Sequence, residues 1–498
     1  MSKNYIVGEN KAYRSIIKTT SLFGSVQVFQ ILINLIRGKL IAILLGSSGM
    51  GLNSLLVSSM TMMNNISGLG LNFSAVREIS KTTETESRAK IIVIFRRCLG
   101  FTALLGFLLT IIFSPALSYF TFSRFDETWI FGCLAVSLVL NILSTEAVVL
   151  LQGTRNLSAY AKLTVSISLI SLCVTIPVYY FGGIKAIVPA IILSSFVSFV
   201  LSKYYINRIK TGKPEVTKKE TIDKGKEMLK LGIAMMAATT IGSTTSYLVN
   251  TFIYSYGTAS DLGLYQAGMS ITSQSIGLVF SAMSIDYFPR LAAVSHDRTK
   301  TRRMVNQQAE ITLLLSTPIL LVLMVTAPLL IHLLLTSEFM PLEGFIRILA
   351  LGMFFKAASY PLGTISFSKG DKKTFFLLEG VGINIATLIF NILGYSIGGF
   401  SGLAYSFLFV NAAYYVAINI ITFKLYSFRM SKSLKRIFII QLLILALAFL
   451  SFNSLYSLYA YILPIILVLA VAIFSYKQLD RLINLKAFII SKFSNKNS

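Results

Sequence analysis

Long apolar runs alternate along the chain with short, cation-rich polar interruptions. A hydrocarbon layer about 30 Å thick takes roughly 20 apolar residues of α-helix. Uncharged or nearly uncharged runs of that length occur near 19–45, 51–74, 98–120, 128–151, 163–182 and 186–202. A second set follows near 231–256, 262–285, 311–335, 344–368, 374–398 and 400–423. The run from Ile437 to Tyr476 is long enough for two more crossings, with the Tyr-rich stretch SFNSLYSLYAY between them reading as a turn at the membrane surface. The pattern predicts an all-α integral membrane protein of fourteen transmembrane helices.

Composition and charge sharpen that reading. Of 498 residues, 55% are hydrophobic and only 13% charged, against about 25% charged in soluble domains. The mean hydropathy is +0.73. A formal charge of +25, from 45 Lys and Arg against 20 Asp and Glu, would suit a nucleic-acid binder, but no large basic soluble segment exists to serve as one. No nucleic acid is therefore expected as a partner. The N-terminal segment, the interruptions after even-numbered spans and the C-terminal tail hold 39 of the 45 cations, and the opposite loops hold only Arg124 and Lys185. By the positive-inside rule both termini lie in the cytoplasm. Trp129 and the aromatic cluster at 119–125 suit an outer interfacial belt. The first eighteen residues are mostly polar and unlike a cleavable signal peptide. Cys98, Cys133 and Cys173 stand singly in apolar stretches, and His296 and His332 are far apart, so no disulfide framework, metal site or cofactor is expected. No G-x-x-x-x-G-K-[ST] phosphate loop occurs, which points away from nucleotide hydrolysis.

An internal repeat organises the spans. LLGSSGMGLNSLL at 44–56 leads through an uncharged helix to SAVREIS at 74–80, and YSYGTASDLGLYQAG at 254–268 leads likewise to DYFPRLAAVS at 286–295. Gly51 and Gly263 are 212 residues apart, and Arg77 and Arg290 are 213 apart. LQGTRNLSAY at 151–160 pairs with SKGDKKTFF at 368–376, and FGGIKAI at 181–187 with IGGFSGL at 397–403, giving offsets of 217 for Gly153 to Gly370 and 216 for Gly182 to Gly398. The sequence thus divides into an N-terminal six-helix lobe (1–202), a basic cytoplasmic linker (203–230), a C-terminal six-helix lobe (231–423), and a terminal helix pair with a cytoplasmic tail (424–498). Each half holds an even number of spans, so the lobes should be parallel repeats about a pseudo-two-fold axis along the membrane normal.

Four cations stay inside predicted spans: Arg37 and Lys39 in the first helix, Arg347 and Lys356 in the tenth. Each would cost about 2.5–3.5 kcal/mol if left in lipid, so each needs a cavity, a partner or a route to the interface. A basic, water-filled cavity receiving an anion is the functional reading. Glu146 and Glu379 are the intramembrane acids. They are candidates for ion coupling, or for pairing with a loop Lys or Arg. Arg77 and Arg290, at repeat-equivalent cytoplasmic ends, are candidates for a gate, with topology-setting charge as the alternative.

The opening helix with its internal arginine, followed by LLGSSGMGLNSLL, and the second-half copy YGTASDLGLYQAG with PRLAAVS resemble polysaccharide flippases of the Wzx type. That family lies in the multidrug/oligosaccharidyl-lipid/polysaccharide exporter superfamily. The resemblance spans essentially the whole chain. It implies a non-enzymatic flippase that moves an undecaprenyl-pyrophosphate-linked oligosaccharide, of O-antigen or a related surface polysaccharide, across the bacterial inner membrane by alternating access. Membrane lipids and a polysaccharide polymerase are the implied partners, and the basic-cavity role falls on Arg37, Lys39, Lys356 and Arg347.

Charge separates this from the alternatives. An exporter of organic cations on the same fold would be expected to set carboxylates deep in its cavity, whereas here four embedded cations face two acids. A lipid II flippase is a further alternative within the same chemistry. A membrane-bound glycosyltransferase or polymerase is disfavoured by short outer loops whose acids, Asp126, Glu127, Glu338 and Glu343, lie at loop edges.

Overall fold

The computed structural model of the chain describes the backbone of residues 2–82, 84–209, 212, 214–454 and 459–483, with side chains from Ser25 onward except at 278, 282, 284–286, 453, 454, 459 and 483. The expected turn residues 455–458 and the tail beyond 483 lie outside the described residues. The described chain is helical throughout: α1 (Ser2–Gly68), α2 (Leu71–Lys81), α3 (Thr85–Phe122), α4 (Thr128–Gly153), α5 (Leu157–Gly182), α6 (Ile187–Ile206) and α7 (Lys218–Tyr256). There follow α8 (Ala259–Ala293), α9 (Arg298–Leu334), α10 (Leu342–Ser368), α11 (Lys372–Phe375), α12 (Ile383–Tyr426), α13 (Lys432–Ser454) and α14 (Tyr459–Ile483).

Among the described residues, nine helical segments are long and apolar enough to cross a membrane. Three of them, of 44, 50 and 55 residues, are too long for one crossing. They break where glycine leaves the helical region: Gly46 inside α1 (φ 67°), Gly183 between α5 and α6 (φ 54°), and Gly399 inside α12 (φ 55°). With α7 and α8, whose Ser, Thr and Gln lower their hydropathy, the crossings number fourteen.

The repeat is written into the backbone. Gly183 has φ/ψ of 54°/−139° and Gly399, 216 positions later, has 55°/−141°. A region that only glycine enters without strain explains why both copies keep glycine there. The other turn corrects the sequence alignment by two residues. Helix α4 ends with Thr154 N–H donating to Leu150, left-handed Arg155 (φ 57°), and Asn156 N–H donating to Leu151. Helix α10 ends with Lys369 donating to Ile365, left-handed Gly370 (φ 73°), and Asp371 donating to Ser366. The equivalent of Gly370 is thus Arg155, not Gly153, and the offset is 215. Asn156 and Asp371 both cap the helix that follows.

Several helices run past their apolar cores into the cation-rich segments. The expected linker 203–230 is helical at both ends: Lys203–Ile206 complete α6, and Thr217 opens α7 with a capping box in which its side chain and that of Glu220 satisfy each other's backbone N–H. The sequence T-K-K-E carries that signal. Helix α9 starts likewise at Asp297, whose carboxylate accepts from Thr299 and Lys300 N–H.

The chain forms two compact units, Met1–Gln266 and Ala267–Ser498. In the first, α4 packs on α3 and α6, and α7 lies along α1. Phe95, Phe131, Leu134, Leu138 and Leu150 fill its core. In the second, α10 packs on α9 and α12, and α9 also carries α13 and α14. Phe339, Ile346, Leu349 and Phe354 are fully buried there. The α3–α4–α6 arrangement of the first unit is therefore repeated by α9–α10–α12 in the second. Within the first unit, the repeat motifs meet each other: a Cβ on Gly51 would overlap the Ala259 carbonyl, and one on Gly263 would overlap that of Ser47. Ser47 and Ser260 share a hydrogen bond of 2.8 Å at this crossing.

Candidate functional site

Each unit contains a cavity lined by its helices, amide- and hydroxyl-rich in the first and mostly apolar in the second. That of the first unit measures about 440 Å³. Arg37, on the first part of α1, lines it together with Asn53, Val57, Met60, Thr61 and Asn64 from beyond the Gly46 break. Those five positions recur at helical spacing and so share one face. Leu138, Asn141, Ser144 and Thr145 of α4, Thr175 and Tyr179 of α5, and Ser194 and Ser195 of α6 complete the wall. Hydrogen bonds position these groups: Asn141 donates to Ser195 at 2.9 Å, Ser137 and Ser195 share a bond of 2.5 Å, and Tyr179 donates to Asn53 at 3.4 Å. The Arg37 Nε and the Asn64 Oδ1 are buried without a hydrogen-bond partner. No carboxylate is among the lining residues. A second space of about 390 Å³ adjoins it, sharing Asn64 and Thr145 and reaching Asn65, Asn72 and Gln152. The two spaces thus share Asn64 and Thr145, and the second mixes amides with apolar side chains such as Phe73, Leu99 and Val148.

The second unit's cavity, about 430 Å³, is lined by Lys356, Ser359, Tyr360, Gly363 and Thr364 of α10, Asn411 and Tyr414 of α12, Glu379, and Phe288, Phe367 and Phe375. Lys356 keeps accessible surface on a helix whose neighbouring residues 351–354 and 357–359 are buried, so its side chain faces this space. Glu379 sits on a π-helical stretch, Phe376–Gly382, and accepts a hydrogen bond from Tyr414. A Cβ at Gly363 would overlap Glu379 Oε1, so glycine there leaves the carboxylate its room. Single π-turns recur at functional positions because they re-aim side chains.

The turn equivalence makes these the same place in the two repeats. At an offset of 215, Asn141 corresponds to Lys356 and Ser144 to Ser359, and at 216, Ser195 corresponds to Asn411. The first copy is neutral apart from Arg37, whereas the second holds a cation, an acid and aromatic rings.

The remaining sequence candidates fall elsewhere. Lys39 is half-buried on the Arg37 helix but is not among the residues lining that cavity. Arg347, 8% exposed, lines none of these cavities. Its guanidinium stacks 3.8 Å from the Phe452 ring centroid and donates to Glu343 (2.6 Å) and Tyr461 (3.0 Å), which clasps α13 and α14 onto α10. Glu146, 4% exposed, accepts from Arg96 at 2.6 Å and Lys203 at 2.9 Å. It therefore pairs with two cations of the flanking segments. Arg77 and Arg290 are exposed at the ends of α2 and α8. Among the described residues, no cluster of three His, Cys, Asp or Glu side chains is placed to hold a metal ion. Reading the sequence for embedded charge missed the amide and hydroxyl walls on α4 and α6. Their signal was available as N-x-x-S-T at 141–145 and S-S at 194–195, polar residues on one helical face inside apolar runs.

A family model described as polysaccharide biosynthesis protein matches residues 40–344. The chain belongs to that family. A comparison with curated protein sequences finds no match. Among solved structures, this polysaccharide-biosynthesis protein is similar to the lipid II flippase MurJ in an inward closed conformation, with 14% identity, TM-score 0.67, and 93% of this chain and 99% of that one covered. It is also similar to an inward-facing multidrug resistance MATE family transporter of the MOP superfamily, with 16% identity, TM-score 0.66, and coverage of 82% and 96%. The MATE multidrug transporter DinF-BH matches at 14% identity and TM-score 0.59, with 82% and 95% covered. At such identities the likeness establishes the shared fold. The family membership and the fold agree with a multi-pass membrane transporter.

Proposed function

We propose that this protein flips a lipid-linked oligosaccharide, an undecaprenyl-pyrophosphate-linked repeat unit of O-antigen or a related surface polysaccharide, across the bacterial inner membrane by alternating access. One observation carries the reading beyond the family: Arg37 faces a cavity whose lining holds no carboxylate, and its Nε has no hydrogen-bond partner, while Lys356 lines a cavity that it shares with Glu379. A cation held in the membrane without a protein anion is poised for an anionic ligand, and the diphosphate of a lipid carrier is one. Lys39, half-buried on the same helix as Arg37, supplements that charge. The cation-rich loops set both termini in the cytoplasm, and a polysaccharide polymerase receives the product on the far side.

Deletion followed by analysis of lipid-linked intermediates tests the proposal. Undecaprenyl-linked repeat units should accumulate on the cytoplasmic face, and Arg37→Ala, Lys39→Ala and Lys356→Ala should each impair surface-polymer assembly while still inserting. Full activity in all three variants overturns the role of these cations. A second reading, export of an organic cation, draws support from Glu379 and the aromatic rings around it. It is chosen over the flippase if deletion leaves glycolipids unchanged and alters drug sensitivity.

A further inference from the structure

The last crossing of each repeat carries an apolar stripe that takes no part in the cavities. On α6, Phe196, Val200 and Tyr204 recur every four residues and are 50%, 46% and 51% exposed. Ile191 and Ser194 of the same helix line the first cavity. At about 100° per residue they lie roughly 140–160° around the helix from Phe196. The stripe therefore faces away from the bundle interior, towards lipid. Two residues past the helix end it finishes in a cation: the Arg208 guanidinium stacks 4.3 Å from the Tyr204 ring centroid and donates to that ring's hydroxyl. Lys203, one residue before Tyr204, offers the contrast, since it is paired with Glu146 at 2.9 Å. Among the described residues no carboxylate pairs with Arg208.

The second unit repeats the device with different residues. At an offset of 216, Val200 corresponds to Val416, Tyr204 to Ile420 and Arg208 to Lys424. Phe409, Val416, Ile420 and Phe423 form the exposed stripe of α12, while Asn411 and Tyr414 face the second cavity. In the turn after α12, the Arg429 guanidinium lies 5.4 Å over the Phe423 ring. Its carbonyl is held by Arg302 Nε at 3.0 Å and Asn306 Nδ2 at 3.1 Å, and no carboxylate among the described residues pairs with it. An aromatic ring at the polar boundary of a bilayer holds a stacked guanidinium at headgroup depth. The planar fork keeps N–H donors free in the geometry that suits a phosphate. We infer that these two ring-and-arginine ends are headgroup sites for an anionic phospholipid: each takes the phosphodiester of a lipid whose acyl chains lie along the α6 or α12 stripe. The continuity of apolar stripe and cation favours a lipid over a soluble phosphate. The inference needs only that the chain spans a bilayer, and is independent of what it transports.

The test places a reporter in the site. Tyr204→Trp keeps a ring under Arg208, and Trp129→Phe removes the one native tryptophan of the full-length protein. Fluorescence is read in nanodiscs that contain brominated phosphatidylglycerol or brominated phosphatidylcholine. The anionic lipid should be preferred about fivefold, as one cation at a charged surface allows, and Arg208→Gln should erase the preference. Lys219→Gln, which removes an exposed cation of α7, should change nothing. Phe423→Trp with Arg429→Gln repeats the measurement in the second unit, with the same outcomes expected. Equal quenching by the two lipids, or a preference that survives loss of the arginine, overturns the site. Inorganic phosphate that abolishes the preference at matched ionic strength assigns the site to a soluble anion and overturns it too. Native mass spectrometry without the tryptophan reporters gives a second measure: phosphatidylglycerol held by the parent and lost from Arg208→Gln and Arg429→Gln supports the sites, and equal retention by all three overturns them. Neither readout depends on the flippase reading, which stands or falls on the lipid-linked intermediates.

Discussion

Replacing Gly51 or Gly263 by alanine is expected to wedge open the crossing at which the two repeat motifs meet. A Cβ on Gly51 overlaps the Ala259 carbonyl oxygen and stands 3.0 Å from both the Ala259 carbonyl carbon and the Gly263 nitrogen. A Cβ on Gly263 overlaps the Ser47 carbonyl oxygen and stands 3.1 Å from the Gly51 nitrogen. Both obstacles are helix backbone, so no side-chain rotation relieves them and the helices must separate. A gap of about 0.5–1 Å already forfeits a quarter to a half of each dispersion contact across the crossing. Overpacking of this kind costs about 1–3 kcal/mol, and a backbone obstacle puts each variant at the upper end, about 3 kcal/mol. Stretching the Ser47–Ser260 hydrogen bond is part of that cost. One separation accommodates both methyl groups, so the double variant should lose about 4 rather than about 6 kcal/mol. Cys98 is buried and its thiol is free, so a thiol-reactive fluorophore reports unfolding in a background where the half-buried Cys133 and the exposed Cys173 are replaced by serine. Single variants as stable as the parent, or a fully additive double variant, would refute the reciprocal packing.

Other outcomes follow from the same geometry. Glu146→Gln leaves Arg96 and Lys203 facing a neutral amide; because those cations are 34% and 44% exposed, the cost should be about 2 kcal/mol rather than the roughly 3–5 of a wholly buried pair. Lost transport with unaltered thermal stability would instead return Glu146 to ion coupling. Gly183→Ala and Gly399→Ala meet no neighbouring atoms, so each isolates backbone strain of about 1–2 kcal/mol, and unequal losses in unfolding midpoint would contradict the matched conformations. At the start of α9, the N–H groups of Lys300 and Thr299 hold the Asp297 carboxyl below the usual carboxylate range. Its folded value lies below its unfolded one, so its stabilisation is complete above about pH 4 and lost as pH falls through the folded value. The stability difference between the parent and Asp297→Asn should therefore be constant from about pH 5 to 8 and shift only under stronger acid; a change near neutrality in a pH series of unfolding midpoints would disprove it.

The span count was legible because helix length and the hydrocarbon thickness are fixed quantities, and apolar runs report both. Helix ends were less so. Segments such as 218–230 look like linker by charge, yet a capping box starts a helix there that then continues into the membrane. The internal repeat was legible at Gly51 and Gly263, whose glycines are demanded by contact. At Gly370 the sequence paired the wrong residue, because the left-handed position that needs glycine in one copy is filled by Arg155 in the other. Embedded charge singled out Arg37 and Lys356, and the structure has each of them lining a cavity. It could not distinguish them from Arg347, which is equally apolar in its sequence surroundings.

By itself, then, the sequence determined a fourteen-helix, twice-repeated membrane protein whose cations lie mostly between the spans, since burial in lipid penalises every polar group within them. Only the tertiary structure decided what each exceptional charge does. Arg347 meets Glu343, Tyr461 and Phe452, which come from the same helix and from two others more than a hundred residues away. Arg37 meets a wall of amides and hydroxyls built from α1, α4, α5 and α6. Whether a buried cation is satisfied depends on partners brought together by packing, and their distance along the chain carries no trace of it.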